Sequence, residues 1–260
     1  MMPTILRPSR AVFRFSGVDA QKLLFDVVTG RLVESEGPPV WWALLSPQGK
    51  IQAEGQSVWQ DGAFWLDVDQ SVAEAFLKRM KMYRLRAAVV IDDLRETHVV
   101  GYDPGAPKGH VIGTSDEAAA WSAPDASHDA ARIANGVAEL GPDFAADQVF
   151  PHDIGMDLLG GVDFKKGCYI GQEVVSRMEH RGTARRRPVI VEGVDAPMGS
   201  PMLVGGRDSG AIGTPVGGKA VAIVRLDRFD GGEVTVADKP VTIALPSWAT
   251  YRLGESAVAE

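Results

Sequence analysis

The stretch GGVDFKKGCYIGQEVVSRMEHRG, residues 160–182, changes character halfway through. Its first half is rich in glycine and lysine and holds the only cysteine of the chain, Cys168. Its second half has helical spacing. Val174 and Met178 are four apart, and so are Glu173 and Arg177, in the acidic-then-basic order that stabilises a helix by about 0.2–0.5 kcal/mol. Gly182 suits the position just past a helix end. The spacing predicts a helix over 171–181, with Cys168 on the loop that enters it. Unpaired N–H groups and the helix dipole favour negative charge at such a place. Lys165 and Lys166 add positive potential, so the thiolate is favoured and the cysteine is expected to be reactive. Gly167 and Gly171 allow tight turning and close approach. Without this setting, a lone cysteine reads as a small buried hydrophobe.

Upstream of the segment, α and β patterns alternate. Ser16 and Asp19 form an S-x-x-D start signal. They predict a helix over 18–28, with Leu23, Leu24, Val27 and Val28 as its apolar face and Gly30 past its end. Strands are expected at 41–45 and 51–59, joined by the turn Ser46-Pro47-Gln48-Gly49. A strand over 63–68 and a helix over 72–83 follow, the latter with Val72, Phe76, Met80 and Tyr83 on one face. Strands at 87–91 and 98–102 come next, and the pattern is weak from there to about residue 123. A helix is expected over 129–140, stopped by Gly141-Pro142. After Arg187 the runs 188–191, 201–204, 210–212, 220–225, 233–236 and 240–244 are short, strand-like and separated by glycine-rich turns. They indicate a small β-barrel or sandwich. The expected fold class is α+β, with one region over 1–187 and a β-barrel over 188–260.

The chain has 260 residues, 45% hydrophobic and 23% charged, enough core for two or three subdomains. Its net charge of −7 argues against general nucleic-acid or membrane-surface binding. No apolar run approaches the roughly 20 residues that span a bilayer. The N-terminal MMPTILRPSR lacks the apolar stretch of a secretory signal. A single cysteine leaves no disulfide framework, and a cytoplasmic location is expected. It also leaves no private zinc or iron–sulfur site, which would take about four ligands.

KGCYIGQE, residues 166–173, followed by Arg177 and His180-Arg181-Gly182, resembles the signature of the YgfZ family. These are folate-binding proteins related to the T-protein of the glycine cleavage system and to a mitochondrial iron–sulfur assembly factor. SGVDAQKLLFDVVTG (16–30), LLSPQGKI (44–51), ARIANGVAELGPDF (131–144), VFPHDIGMDLLGGVDF (149–164) and GAIGTPVGGKAVAIVRLD (210–227) resemble further family segments. The resemblance implies a T-protein-like fold: two interleaved α/β portions forming a folate-sized channel, and a terminal β-barrel. It implies tetrahydrofolate-dependent support of iron–sulfur cluster assembly or repair in client enzymes, among them tRNA-modifying radical enzymes. By position, Cys168 is the essential thiol. Lys166, Gly167, Tyr169, Gly171, Gln172 and Glu173 shape its loop. Asp153, Asp157, Arg177 and Trp42 are the candidate folate contacts. Expected partners are folate and iron–sulfur client or assembly proteins. Any cluster would be transient and shared with a client through Cys168.

Two departures matter. The T-protein carries an aspartate pair where this chain has about Gln52 and Ala53, and neither can serve as acid or base. Glu54 is adjacent, but a shift of one residue on a strand reverses the face. An assembly factor is therefore expected rather than a folate-dependent aminomethyl (one-carbon) transferase, which stands as the alternative. The run 151–157 also lacks an asparagine common in relatives, leaving that pteridine contact to Asp153 or Asp157.

A second alternative, tRNA binding, would use Arg177, Arg181, Arg185, Arg186 and Arg187 with His180. The plain reading of those residues is a solvated helix end. His152 and His180 could assist the thiol, although structural histidines are commoner. Trp41, Trp42, Trp59 and Trp65 could line a pocket for a flat heterocycle or simply pack. Asp67, Asp69, Asp92 and Asp93 read as turn or capping residues.

Overall fold

The computed structural model describes residues 3–182 and 184–254. The chain forms two compact units. One is Met1–Asp125 with Gly160–Gln172, the other Ala126–Leu159 with Glu173–Glu260. The boundary expected at Arg187 lies inside the second unit, at the first strand of its sheet.

In the first unit the elements are β1 (Ile5–Leu6), β2 (Arg10–Ser16), α1 (Ala20–Val27), β3 (Val40–Leu45), β4 (Ile51–Gln60), β5 (Ala63–Asp69), α2 (Ala73–Tyr83), β6 (Val90–Asp93), β7 (His98–Tyr102), β8 (His110–Thr114) and α3 (Ser115–Ala118). An antiparallel sheet runs in the order β3-β4-β5-β2-β6, and a smaller one in the order β1-β7-β8. Strand alternation sorts the side chains. Phe13 and Phe15 lie opposite Leu66 and Phe64 and share a face. Phe76 of α2 packs its ring 5.4 Å from Phe13, 6.2 Å from Phe15 and 5.4 Å from Trp42. Each fully buried ring of this kind contributes about 1.5–3 kcal/mol. Val12 and Trp65 belong to the opposite parity. They cluster with Val100 of β7 and Ile112 of β8, joining the two sheets.

The start of α1 differs from the S-x-x-D reading. Ser16 ends β2, and the Asp19 carboxylate makes no cap bond to the helix. It accepts instead from the Ala88 amide at 2.7 Å. That bond holds 88–89 as a connection, so the strand expected at 87–91 begins only at Val90. β8 and α3 occupy the stretch that looked featureless. The signal there was a T-x-x-E capping box, in which Glu117 N donates to Thr114 Oγ1 and Thr114 N donates to Glu117 Oε2.

The second unit holds α4 (Ser127–Ala134), α5 (Gln172–Arg181, whose first residue belongs to the other unit), β9 (Arg186–Glu192), β10 (Pro201–Val204), β11 (Arg207–Ile212), β12 (Lys219–Arg225), β13 (Val234–Val236), β14 (Lys239–Pro240) and β15 (Thr242–Ala244). Its antiparallel sheet has the order β14-β13-β10-β11-β12-β9-β15 around Val189, Val191, Met202, Ile212, Ala222 and Val224. Helix α4 stops well short of the expected end at 140. Gly136 turns the chain with φ +64°, and a Cβ there would lie 2.3 Å from Pro246.

Candidate functional site

The cysteine loop is built around Lys166. Asp163 starts it, its Oδ1 accepting from the amides of Lys165 at 2.8 Å and Lys166 at 3.2 Å. That turn sends the two lysines opposite ways: Lys165 is exposed and Lys166 is buried. The Lys166 ammonium donates to Phe25 O at 3.0 Å and Gly30 O at 3.1 Å, and also to Val28 O. These carbonyls lie in and just past the last turn of α1, where the helix dipole favours a cation. The ammonium also faces the rings of Phe25 and Tyr169, with centroids 5.1 and 4.8 Å away. Burial pulls its pKa down to about 8, with Asp163 and Asp26 acting in the opposite direction. Lys166 is therefore a clamp from the motif to α1, and its charge is taken up by carbonyls rather than offered to the thiol.

Cys168 is exposed and free. The bland expectation of a buried small hydrophobe does not hold. Tyr169, next to it, points inward, and burial pushes its phenol up. Its hydroxyl has no hydrogen-bond partner among the described residues. Gly171 sits on the β3–β4 turn at φ +78°. A Cβ there would lie 2.6 Å from Ser46 O and 2.9 Å from Leu45 Cβ, so only glycine fits. Two stretches far apart in sequence, LLSPQGKI and KGCYIGQE, thus meet at one glycine. Gln172 N donates to Tyr169 O at 3.2 Å as α5 begins. Glu173 accepts from Arg177 at 2.8 Å on the exposed face, as the spacing predicts.

The candidate folate contacts have partners of their own. Trp42 is fully buried against Phe76 and presents no surface to a ligand. Asp153 accepts from the Phe150 amide at 2.9 Å and from Arg186 at 2.9 Å. Asp157 accepts from Arg187 at 2.7 Å, and the same guanidinium nitrogen reaches His152 O at 2.8 Å. With Arg177 also paired, three of the five arginines proposed for RNA contact are engaged by carboxylates of the protein. His152 is buried, with Nε2 3.2 Å from Glu179 Oε2, whereas His180 is exposed.

Two carboxylate–histidine groups have ligand atoms close enough for a cation: His128, Asp129 and Glu139, and His152, Asp157 and Glu179. Each already holds an internal cation. Arg132 donates to Asp129 at 2.7 Å, and Arg187 to Asp157 at 2.7 Å.

At the positions of the T-protein aspartates, Ala53 is buried, while Gln52 accepts from Arg79. Glu54 faces into a charged network that no linear motif announces. Arg10 Nε donates to Asp67 Oδ2 at 2.8 Å, and its Nη2 to Glu54 O at 3.1 Å. Trp41 Nε1 donates to Glu54 Oε2 at 2.7 Å, and His110 Nε2 lies 3.6 Å from Asp67 Oδ1. Burial alone would raise the Asp67 pKa, but Arg10 and His110 hold it far below the usual carboxylate range. Asp67 is thus a core ion-pair residue, not the turn residue expected. Asp69 does act as a cap, accepting from Ser71 N at 2.9 Å. A Cβ on Gly55 would lie 1.8 Å from Asp67 O and 2.7 Å from Arg10, so glycine is required where β4 meets this network.

Comparison with known proteins adds to this geometry. Residues 184–251 match the family model described as CAF17, C-terminal beta-barrel domain. The chain is 30% identical to an iron–sulfur cluster assembly factor IBA57 homologue, mitochondrial, of Pyricularia oryzae, over 69% of this chain and 54% of the relative. It is 32% identical to the corresponding protein of Mycosarcoma maydis, over 70% of this chain and 55% of that one. The match to iron–sulfur cluster assembly factor IBA57, mitochondrial, of Mus musculus is 28%, over 79% and 69%. The chain thus spans about half the length of the fungal relatives. The glycine cleavage system aminomethyltransferase T of Bartonella henselae superposes with a TM-score of 0.74 at 13% identity, covering 96% of this chain and 87% of that one. The mitochondrial relatives overturn the expected cytoplasmic location. A single cysteine can form no internal disulfide in any compartment, so cysteine usage does not carry the location. The chain has the fold of aminomethyltransferase T, ends in a barrel of the CAF17 type, and is related in sequence to the mitochondrial IBA57 iron–sulfur cluster assembly factors.

Proposed function

We propose that this chain is a folate-binding accessory protein of the YgfZ type, which supports iron–sulfur cluster assembly or repair in client enzymes through Cys168. The observation that carries the reading is an exposed thiol on a loop fixed from below by a buried lysine and a glycine-only contact. A thiol meant for a partner must be open and yet held in place, and this loop has both properties. One thiolate is far fewer than the about four ligands a cluster takes, so the cluster is cargo completed by the client's ligands. Clients would include tRNA-modifying radical enzymes. Tetrahydrofolate is the proposed small ligand. The Tyr169 hydroxyl is the group that fits it, a buried donor without a partner among the described residues that can meet an acceptor on the pteridine.

Gln52 and Ala53 offer no proton to move, which disfavours aminomethyl transfer on this fold. The test is alkylation of Cys168 in the full chain against tetrahydrofolate concentration. Folate that binds and changes the alkylation rate ties thiol and ligand together. Binding with no change of rate would separate them, and no binding would remove folate from the reading.

A further inference from the structure

Among the described residues, four of the seven exposed large hydrophobics lie in one part of the first unit: Val18, Met82, Leu85 and Val90. Val18 is 87% exposed and Leu85 is 84% exposed, far more than single surface hydrophobes need explaining. Backbone bonds bring them together. Leu85 N donates to Met82 O at 3.4 Å and Ala87 N to Arg84 O at 2.8 Å, closing the chain after α2 into tight turns. Segment 17–19 lies against 88–89. Ser16 pairs with Val90, Asp19 Oδ2 accepts from Ala88 N at 2.7 Å, and a Cβ on Gly17 would lie 2.3 Å from Ala88 O. Val18 is therefore carried on the same edge as the 82–90 segment.

The charge on this edge is basic. Lys81, Arg84 and Arg86 interleave with Met82 and Leu85; Lys81 acts on Asp93 through space, and Arg84 and Arg86 have no carboxylate within ion-pair distance among the described residues. The nearby acids are already engaged: Asp19 with the Ala88 amide, Asp92 with Arg14, and Asp93 with Arg95. The chain as a whole carries −7, so this is a local basic and apolar patch on an acidic protein.

We propose that the 82–90 segment with Val18 is a docking surface for another protein, which presents an extended segment mixing acidic and large apolar residues. Apolar side chains would cover Val18, Leu85 and Val90, and carboxylates would meet Lys81, Arg84 and Arg86. A second copy of this chain is a poor occupant, because a twofold contact would set these cations against themselves. The surface is independent of the Cys168 reading.

The probes are labelled peptides of about a dozen residues alternating leucine with glutamate, lysine or serine, titrated against the full chain by fluorescence anisotropy. The glutamate peptide is expected to bind best. Its affinity should fall about tenfold or more with the double variant Val18→Ser, Leu85→Ser, and also as salt rises from about 0.05 to 0.5 M. Both positions are exposed, so the variant should keep its melting temperature. Equal binding of the three peptides, or unchanged binding by the variant, overturns the proposal. So does a patch that proves instead to bind phosphatidylglycerol vesicles, or to drive self-association, in a manner lost with Leu85→Ser.

Discussion

The cysteine loop and the Arg10–Glu54–Asp67 network both bury charge in the first unit, and they do so in opposite ways. The network closes on itself. Guanidinium, carboxylates and indole N–H satisfy one another across β2, β3, β4 and β5, and every group points inward. The loop buries a cation against backbone carbonyls and leaves its thiol outside. Self-satisfied buried charge fixes how strands pack and offers nothing to a ligand. Charge anchored on the backbone fixes a loop while freeing the neighbouring side chains. The difference separates a structural polar cluster from the candidate functional one where both are buried and charged.

If the two regions differ in this way, mutations should separate them. Arg10→Ala leaves two carboxylates buried without their cation, and a loss of about 3–5 kcal/mol is expected in urea unfolding. The same network sets the acid limit. The unfolded chain takes up a proton that folded Asp67 refuses, so stability should fall as pH drops below about 4, and less so in Arg10→Ala. Lys166→Met keeps the length of the side chain and leaves three carbonyls unpaired. A loss of about 1.5–3 kcal/mol is expected, with a changed rate of Cys168 alkylation that Arg10→Ala variants still folded would not show. The Lys166 contribution has its own pH signature. Its folded pKa of about 8 lies below the unfolded value, so the burial penalty is full below pH 8. Stability relative to Lys166→Met should therefore rise between pH 8 and about 10.4. Gly171→Ala adds a Cβ against Ser46 O in a left-handed conformation and should cost about 1–3 kcal/mol. Glu173→Ala removes only an exposed helix pair and should cost no more than about 0.5 kcal/mol. A larger effect there would mean that Glu173 does more than pair with Arg177 on α5.

What could be read from the sequence follows the same division. The helix over 172–181, the turn at 46–49, the strands on either side of it and the strand-rich last third were legible, because each depends on local spacing and turn chemistry. Gly171 marked the loop correctly, whereas Gly167 has no positive φ and a Cβ there would meet only the Phe25 ring at 3.4 Å; the role of Lys166 was missed. Two adjacent lysines look alike in a sequence, and only the Asp163 turn sends one inward. Arg10, Glu54, Asp67 and His110 are scattered over a hundred residues, so no window could join them. The capping signal at Ser16–Asp19 misled because Asp19 had a long-range use at Ala88. The capping box at Thr114–Glu117 was present and could have placed α3. The arginines at 186 and 187 read as a free basic stretch, yet their strand carries them to Asp153 and Asp157.

The most direct measurement is the activity of an iron–sulfur enzyme in cells lacking their own relative of this chain, supplied with either the wild type or Cys168→Ala at equal protein level. The account predicts that the wild type restores activity and the variant does not, although the variant stays folded. Full restoration by Cys168→Ala would contradict it.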